Sequence, residues 1–467
     1  MSVDIQEREN QEHRERPISE GVTRAGERDR ADGRGPEGEP YDVVGIGFGP
    51  SSLSLAIALE EHPEPLRAAF FERQPALGWH QGMLVPSAKM QVSFLKDLAT
   101  FRNPTSSFSF VAYLHERGRL ARFVNNQDFY PTRREFHDYL DWAETRLRHR
   151  VSYGAEVTAV ELAGAAGRGP ADRVRIEVSD PAAPGGTRSV EARNVVVSTG
   201  LVPRMPAGIE AGGHVWHSSA FLHRFRGWSG GPLKRVAVVG AGQSAAEIVR
   251  FLYDTLPDAR ISAILPSYGY SIADSTPFAN QVFDPGAVDD FYRGSQRAKD
   301  AIWERHRNTN YSVVDDEVIR GLYQRAYDDE VSGERRLDFV NLSRVAGVAR
   351  TGDTTRVTVR SLADEDEYDL DVDVLVCASG YDPMDPARVL GGLDKYCPRD
   401  EQGRYRVGRD YRVATTDDLS CGIYLQGGTE HTHGLSSSLL SNIAVRGGEI
   451  ADSIIAGRTA RGKGAAA

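Results

Sequence analysis

The sequence predicts an α/β fold with two Rossmann-like dinucleotide-binding domains and a small helical subdomain. Three observations predict it. Two segments, opening at Tyr41 and Arg235, share one plan: a short apolar strand, a glycine turn and an amphipathic helix. Two further apolar runs, 194–200 (NVVVSTG) and 372–380 (VDVLVCASG), end in small-residue turns, as parallel strands covered on both faces do. Residues 287–331 are charge-rich, with Phe291, Ala298, Ile302, Val318, Leu322 and Tyr323 at helical spacing around a break at 308–315.

The 467 residues are 40% hydrophobic and 26% charged, enough for two or three packed units, and the net charge of −10 argues against a polyanionic partner. No nucleic acid is expected. No apolar run approaches the roughly 20 residues that cross a bilayer, and no apolar secretion signal opens the chain, so a cytoplasmic location without membrane contact is expected. The three cysteines, Cys377, Cys397 and Cys421, lack metal or disulfide spacing and read as buried thiols. Residues 1–40 hold almost no large apolar side chains and read as a disordered tail.

Residues 42–53 read DVVGIGFGPSSL. Gly45, Gly47 and Gly49 follow a strand, and Leu53, Ala56 and Ile57 continue at helix spacing. Glycines let the backbone approach a pyrophosphate held at the positive end of the next helix. The following strand ends in Glu72, at the distance expected of a carboxylate that accepts from an adenosine ribose. Pro50 takes the place of the usual small residue. Next come turn-rich breaks at 164–169 and 181–186, which mark an antiparallel excursion with strands near 173–178 and 188–190.

Residues 235–247 read RVAVVGAGQSAAE, a second cradle with Gly240 and Gly242 before Gln243 and Ser244. The next strand, 261–265, ends in Pro266 and Ser267, so it offers neither the acid of an NAD site nor the arginine of an NADP site. His431 and His433 lie two apart in a loop, but no further ligands complete a metal set, and packing is the expected role. Lys96 beside Asp97 reads by itself as a surface ion pair, and Asn280 and Asn310 as turn formers.

From residue 41 to about 455 the chain resembles the microbial L-ornithine N5-monooxygenases, relatives of the lysine N6-hydroxylases, and particularly the actinobacterial ornithine hydroxylases of siderophore or piperazate biosynthesis. The resemblance is carried by GFGPSSLSLA, WHQGML, KMQVSFLKDLATFRNP, FYPTRREF, GAGQSAAE, TPFANQVFDP, NTNYSVVD, ASGYDP and EHTHGLSSSLLS. It implies FAD on the first cradle and NADPH on the second, with L-ornithine hydroxylated at N5 by O2 through a C4a-hydroperoxyflavin. Such a flavin carries the chemistry, so no acid–base triad is expected. The resemblance further implies Trp79, His80, Met90 and Gln91 at the flavin, and Lys96 on the substrate carboxylate. Asn280 and Asn310 would hold the α-amino and carboxylate groups, and Gln243, Ser244, Asn310 and Tyr311 would lie along NADPH. Ser436 and Ser437 are candidates for flavin or substrate contact. A homotetramer is implied as well.

The expected boundaries are 41–210 with 365–455 for the FAD domain, 211–285 with 336–364 for the NADPH domain, 286–335 for the helical substrate-binding subdomain, and 456–467 for a flexible C-terminus. Disulfide reductases share the plan but need a redox cysteine pair, and the F-x-G-x-x-x-H-x-x-x-W signature of Baeyer–Villiger oxygenases is absent. L-lysine N6-hydroxylation, diamine hydroxylation and a non-catalytic nucleotide sensor remain the alternatives.

Overall fold

Two five-stranded parallel sheets organise the chain. The computed structural model describes residues 39–465, apart from Ser87, 164–169 and Asp353. The expected tail thus lies, up to residue 38, outside the described residues, as does the break at 164–169.

The first sheet has the order Gly422–Leu425, Asn194–Val197, Val43–Ile46, Ala68–Glu72, Val151–Tyr153. All four pairings are parallel. Val43, Val44, Val195, Val196 and Ile423 are fully buried, which explains why these strands read as apolar runs without alternation. Helix Pro50–Glu61 covers one face and packs along the C-terminal helix Ile443–Ala465. An aromatic core of Phe110, Phe136 and Tyr139 fills the space beyond them.

The second sheet has the order Leu337–Val340, Arg260–Ile264, Arg235–Val239, Val374–Cys377, Val215–His217, again all parallel. The expected strand at 261–265 therefore runs one residue earlier. Two antiparallel meanders are attached: Glu156–Ala163 with Arg173–Ser179 and Thr187–Ala192, and Ser343–Thr351 with Thr354–Ser361 and Glu367–Val372. The first is the excursion read from the turn-rich breaks.

Three expectations need correction. Val374–Cys377 pairs with Arg235–Val239, so the chain returns to the first sheet only after this strand and not from residue 365. An apolar run ending in a small-residue turn fits either sheet, and the pattern carries no address. The 286–335 unit is divided: in helix Asp316–Ser332, Val318 and Leu322 enter the core of the second sheet, whereas Phe291 of helix Pro285–Arg293 packs toward Gly434. Tyr323 is exposed. Residues 456–465 continue the C-terminal helix, where the Arg458 guanidinium donates to the Pro65 carbonyl at 2.9 Å.

Leu201–Pro203 and Tyr381–Pro383, which leave the two sheets, pair antiparallel between them. The Arg204 guanidinium donates to the Ser379 carbonyl from Nε at 3.1 Å and Nη2 at 2.9 Å, and the Ser379 hydroxyl donates back to the Arg204 carbonyl. This ladder is the double connection between the nucleotide units.

Candidate active site

The carboxyl ends of the first sheet open on a cleft of ≈ 560 Å³, the place where open α/β sheets bind ligands. Gly47, Gly49, Pro50, Glu72, Trp79 and His80 line it. Gly47 has φ +88°, and a Cβ there would lie 2.5 Å from the Ser198 carbonyl oxygen; at Gly49 nothing lies within 4 Å. The two glycines thus do different work. Gly47 lets the ends of two neighbouring parallel strands approach closely, and Gly49 leaves room above the N-terminus of helix Pro50–Glu61. Gly45 faces the Phe70 ring and serves packing.

The Glu72 carboxylate accepts from the Phe48 N–H at 2.7 Å and the Gln74 N–H at 2.8 Å, so the acid at the second strand end is held against the glycine loop. Its remaining lone pairs are available for ribose hydroxyls. A dinucleotide with an adenosine end fits this set of donors and acceptors. Trp79 packs on Phe136 with ring centroids 5.9 Å apart, and His80, at φ +49°, meets Tyr381 edge-on at 6.1 Å.

Ser198, Thr199, Ser219, Tyr381 and Ser438 also line the cleft and were not singled out from sequence. Their signal was present for two of them, since Ser198 and Thr199 sit in the small-residue turn of NVVVSTG. Met90 is buried, with its N–H donating to the Pro131 carbonyl. The Gln91 amide donates to Asp315 at 3.1 Å. Ser436 and Ser437 are both 2% exposed. The Ser437 Oγ accepts from the Thr429 N–H at 3.1 Å and shares a 2.6 Å hydrogen bond with the Thr429 hydroxyl, which commits it to the loop; its neighbour Ser438 faces the cleft.

At the second cradle Gly240 has φ +139°, and a Cβ would meet the Ala378 carbonyl at 2.4 Å. Gly242 precedes helix Gln243–Thr255. The Gln243 amide nitrogen donates to Glu247 at 3.0 Å and Asp315 at 2.9 Å, while its oxygen accepts from the Asp315 N–H at 2.9 Å. Its side chain is a brace, leaving the backbone N–H of the first turn for a phosphate. Ser244 is partly buried and Tyr311 lies 5.7 Å from Trp303.

Lys96 departs from the surface reading. Asp97 turns into the core and accepts from the Ala99, Thr100 and Phe110 N–H groups, so it does not pair with Lys96. Lys96 is half-buried and lies within 4 Å of no carboxylate among the described residues; its Nζ stands 5.8 Å from the Phe283 ring centroid. Burial holds the ammonium below the ordinary lysine range, with Asp284 opposing. Phe283 ends the turn Gln281–Phe283 that follows directly on Pro277–Asn280, which brings Lys96 to the Asn280 segment. Asn310 lies on a loop joined to 271–276 through the Asp274 N–H to the Asn308 carbonyl and through the Ile272–Val314 bridge. His431 and His433 each donate from Nε2 to a backbone carbonyl, that of Tyr405 at 2.9 Å and that of Arg409 at 3.1 Å. All three cysteines are buried thiols.

A family profile described as L-lysine 6-monooxygenase/L-ornithine 5-monooxygenase matches residues 39–383. The chain belongs to this family. The L-ornithine N(5)-monooxygenase of Pseudomonas aeruginosa is 36% identical over 424 residues, covering 89% of this chain and 93% of that protein. That of Burkholderia cepacia is 39% identical over 403 residues, with 84% and 90% covered. Among solved structures of the monooxygenase family, the ornithine N-hydroxylase of Kutzneria sp. 744, with reduced FAD, NADP+ and L-ornithine, aligns at TM-score 0.86 and 66% identity over 89% of this chain and 99% of that one. The L-lysine 6-monooxygenase of Pseudomonas syringae aligns at TM-score 0.77 and 30% identity over 89% and 99%.

Proposed function

We propose that this chain is an FAD- and NADPH-dependent L-ornithine N5-monooxygenase that forms N5-hydroxy-L-ornithine for siderophore or piperazate-type biosynthesis. The observation that carries the choice of an amino acid over a diamine is Lys96: a half-buried ammonium with no carboxylate within 4 Å among the described residues, above the Phe283 ring. The choice of ornithine over lysine is supported by the greater identity to the ornithine enzyme, 66% against 30%.

When bound, FAD supplies the reduction of O2 with electrons from NADPH and the transfer of one oxygen atom to the amine. Gly49 and the N-terminus of helix Pro50–Glu61 would hold its pyrophosphate, Glu72 its ribose, and Trp79, His80, Met90 and Gln91 would stand toward its ring. Gly240, Gly242 and the first-turn amides of Gln243 and Ser244 would take NADPH, with Tyr311 alongside. Lys96 would pair with the α-carboxylate, and Asn280 and Asn310 would take the α-amino and carboxylate groups. The amine must be neutral to present a lone pair, and a poorly solvated pocket lowers its pKa from about 10.4.

Family resemblance supports a homotetramer, and the demand for NADPH supports a cytoplasmic setting. Among the described residues no helix is long and apolar enough to cross a membrane. The test is a product assay with ornithine, lysine and putrescine side by side. Hydroxylated ornithine should dominate; lysine or putrescine as the preferred substrate would overturn the assignment. Light scattering at assay concentration checks the tetramer.

A further inference from the structure

Arg446 is a cation where the fold should not afford one. It is 2% exposed, on the C-terminal helix, and no carboxylate lies within 4 Å of it among the described residues. Nη1 donates to the Ser437 carbonyl and Nη2 to the Ser51 hydroxyl oxygen at 3.1 Å, while Nε is buried without a hydrogen-bond partner. The two nearby acids are engaged elsewhere: Glu449 takes both Arg409 Nη1 and Nη2 at 2.9 and 2.8 Å, and Glu430 accepts from the Ser438 hydroxyl. A buried charge of this kind is costly unless an anion offsets it.

Ser51 supplies the direction. It is in the first turn of helix Pro50–Glu61, lines the cofactor cleft, and accepts from Arg446. A hydroxyl oxygen that accepts from a guanidinium keeps its own proton for a different acceptor. The other contact of Arg446, Ser437, precedes Ser438, Leu439 and Leu440, which line the same cleft. We propose that Arg446 is a positioning residue for the cofactor: from behind the cleft wall it turns the Ser51 hydroxyl outward as a donor to the FAD pyrophosphate, and its buried charge, which Glu430 and Glu449 offset in part, is more fully offset when that dianion is bound. The bare helix N-terminus, the Ser51 proton and the guanidinium then form one anion site with its cation in the second layer.

A guanidinium that merely staples the helix to the loop would stabilise the flavin-free and flavin-loaded protein alike. One that waits for an anion destabilises the flavin-free form and tightens FAD. The experiment uses the full chain, stripped of flavin and reconstituted, as wild type, Arg446→Met, Ser51→Ala and the double variant. FAD affinity is read from quenching of flavin fluorescence, and Tm is read with and without saturating FAD. Each single change should weaken FAD about 10- to 100-fold, the range for a hydrogen bond to a charged group. The double variant should lose no more than the weaker-binding single, and the flavin-free Arg446→Met protein should melt at or above wild type. Equal losses of Tm in both forms with unchanged FAD affinity would overturn the proposal. If Arg446→Met does not fold, Ser51→Ala decides alone: wild-type FAD affinity in that variant removes the relay.

Discussion

Arg133 and Glu247 form a two-pronged ion pair, Nη1 to Oε2 at 2.8 Å and Nη2 to Oε1 at 3.0 Å, between the helix Arg133–Leu147 beside the first sheet and the helix that opens on the second cradle. Glu247 is 1% exposed, and Arg133 also donates to the Met83 carbonyl at 2.8 Å. Gln243 and, through Asp315, Gln91 join the same network. Removing one partner strands the other charge. Arg133→Met should cost about 3–5 kcal/mol in urea unfolding. Arg133→Met with Glu247→Leu should regain most of it, while flavin reduction by NADPH stays slow because the two cradles are no longer braced. A double variant that reduces its flavin at the wild-type rate would show the brace to be structural only.

The two glycines of the first cradle separate fold from cofactor. Gly49→Val places its side chain in open space above the helix, so a folded protein without FAD is expected. Gly47→Val sets a β-branched residue at φ +88° against the Ser198 carbonyl, so it should lower Tm or fail to fold. Flavin absorbance per chain and circular dichroism, measured on both proteins, check the split. Stoichiometric FAD in Gly49→Val would contradict the pyrophosphate reading.

The two cradles were legible because strand, glycine turn, helix and Glu72 stand in register along the chain. What the residues could not show was which strand neighbours which: 372–380 has the same pattern as 194–200, yet Val374–Cys377 joins the second sheet and Asn194–Val197 the first. Side-chain allegiance was hidden for a similar reason. Lys96 and Asp97 are adjacent in sequence, but only the fold shows Asp97 turning inward to four donors and leaving Lys96 alone. Ser436, Ser437 and Ser438 are indistinguishable as letters; the hydrogen bonds of Ser437 to Thr429 and the place of Ser438 on the cleft wall appear only in the fold.

His433 ties the cleft loop to pH. It is 1% exposed and stacks on Tyr411 with centroids 4.0 Å apart; burial, with help from the Arg409 and Arg446 charges, pushes it down to about 4 from 6.5. The folded value is depressed, so between those two values the unfolded chain binds the extra proton. Stability is therefore fully present above pH 6.5 and falls as the pH drops toward 4, by about 3 kcal/mol over the window. Urea unfolding from pH 7 to 4.5 should show this slope, and His433→Gln should flatten it by about one proton. An unchanged slope in that variant would assign the acid sensitivity to other groups.

Lys96 decides between an amino-acid hydroxylase and a flavoprotein that only consumes NADPH. Its ammonium is desolvated enough to be held below the ordinary lysine range, and within 4 Å it has no carboxylate among the described residues, so the α-carboxylate of ornithine would supply a close counter-ion. Lys96→Ala should weaken ornithine by about 2–5 kcal/mol in KM, the range for breaking a desolvated charge pair, with FAD content unchanged. NADPH oxidation should continue while oxygen leaves as hydrogen peroxide, because the substrate no longer holds N5 in place. Putrescine, without a carboxylate, should be a poor substrate of both proteins and respond little to the change. Since the lysine must be charged to pair, the wild-type KM should rise at alkaline pH as the lowered pKa is passed. Lys96→Arg, which keeps its charge, should lack that rise. An unchanged ornithine KM and an unchanged ratio of hydroxylated product to NADPH in Lys96→Ala would remove the carboxylate role.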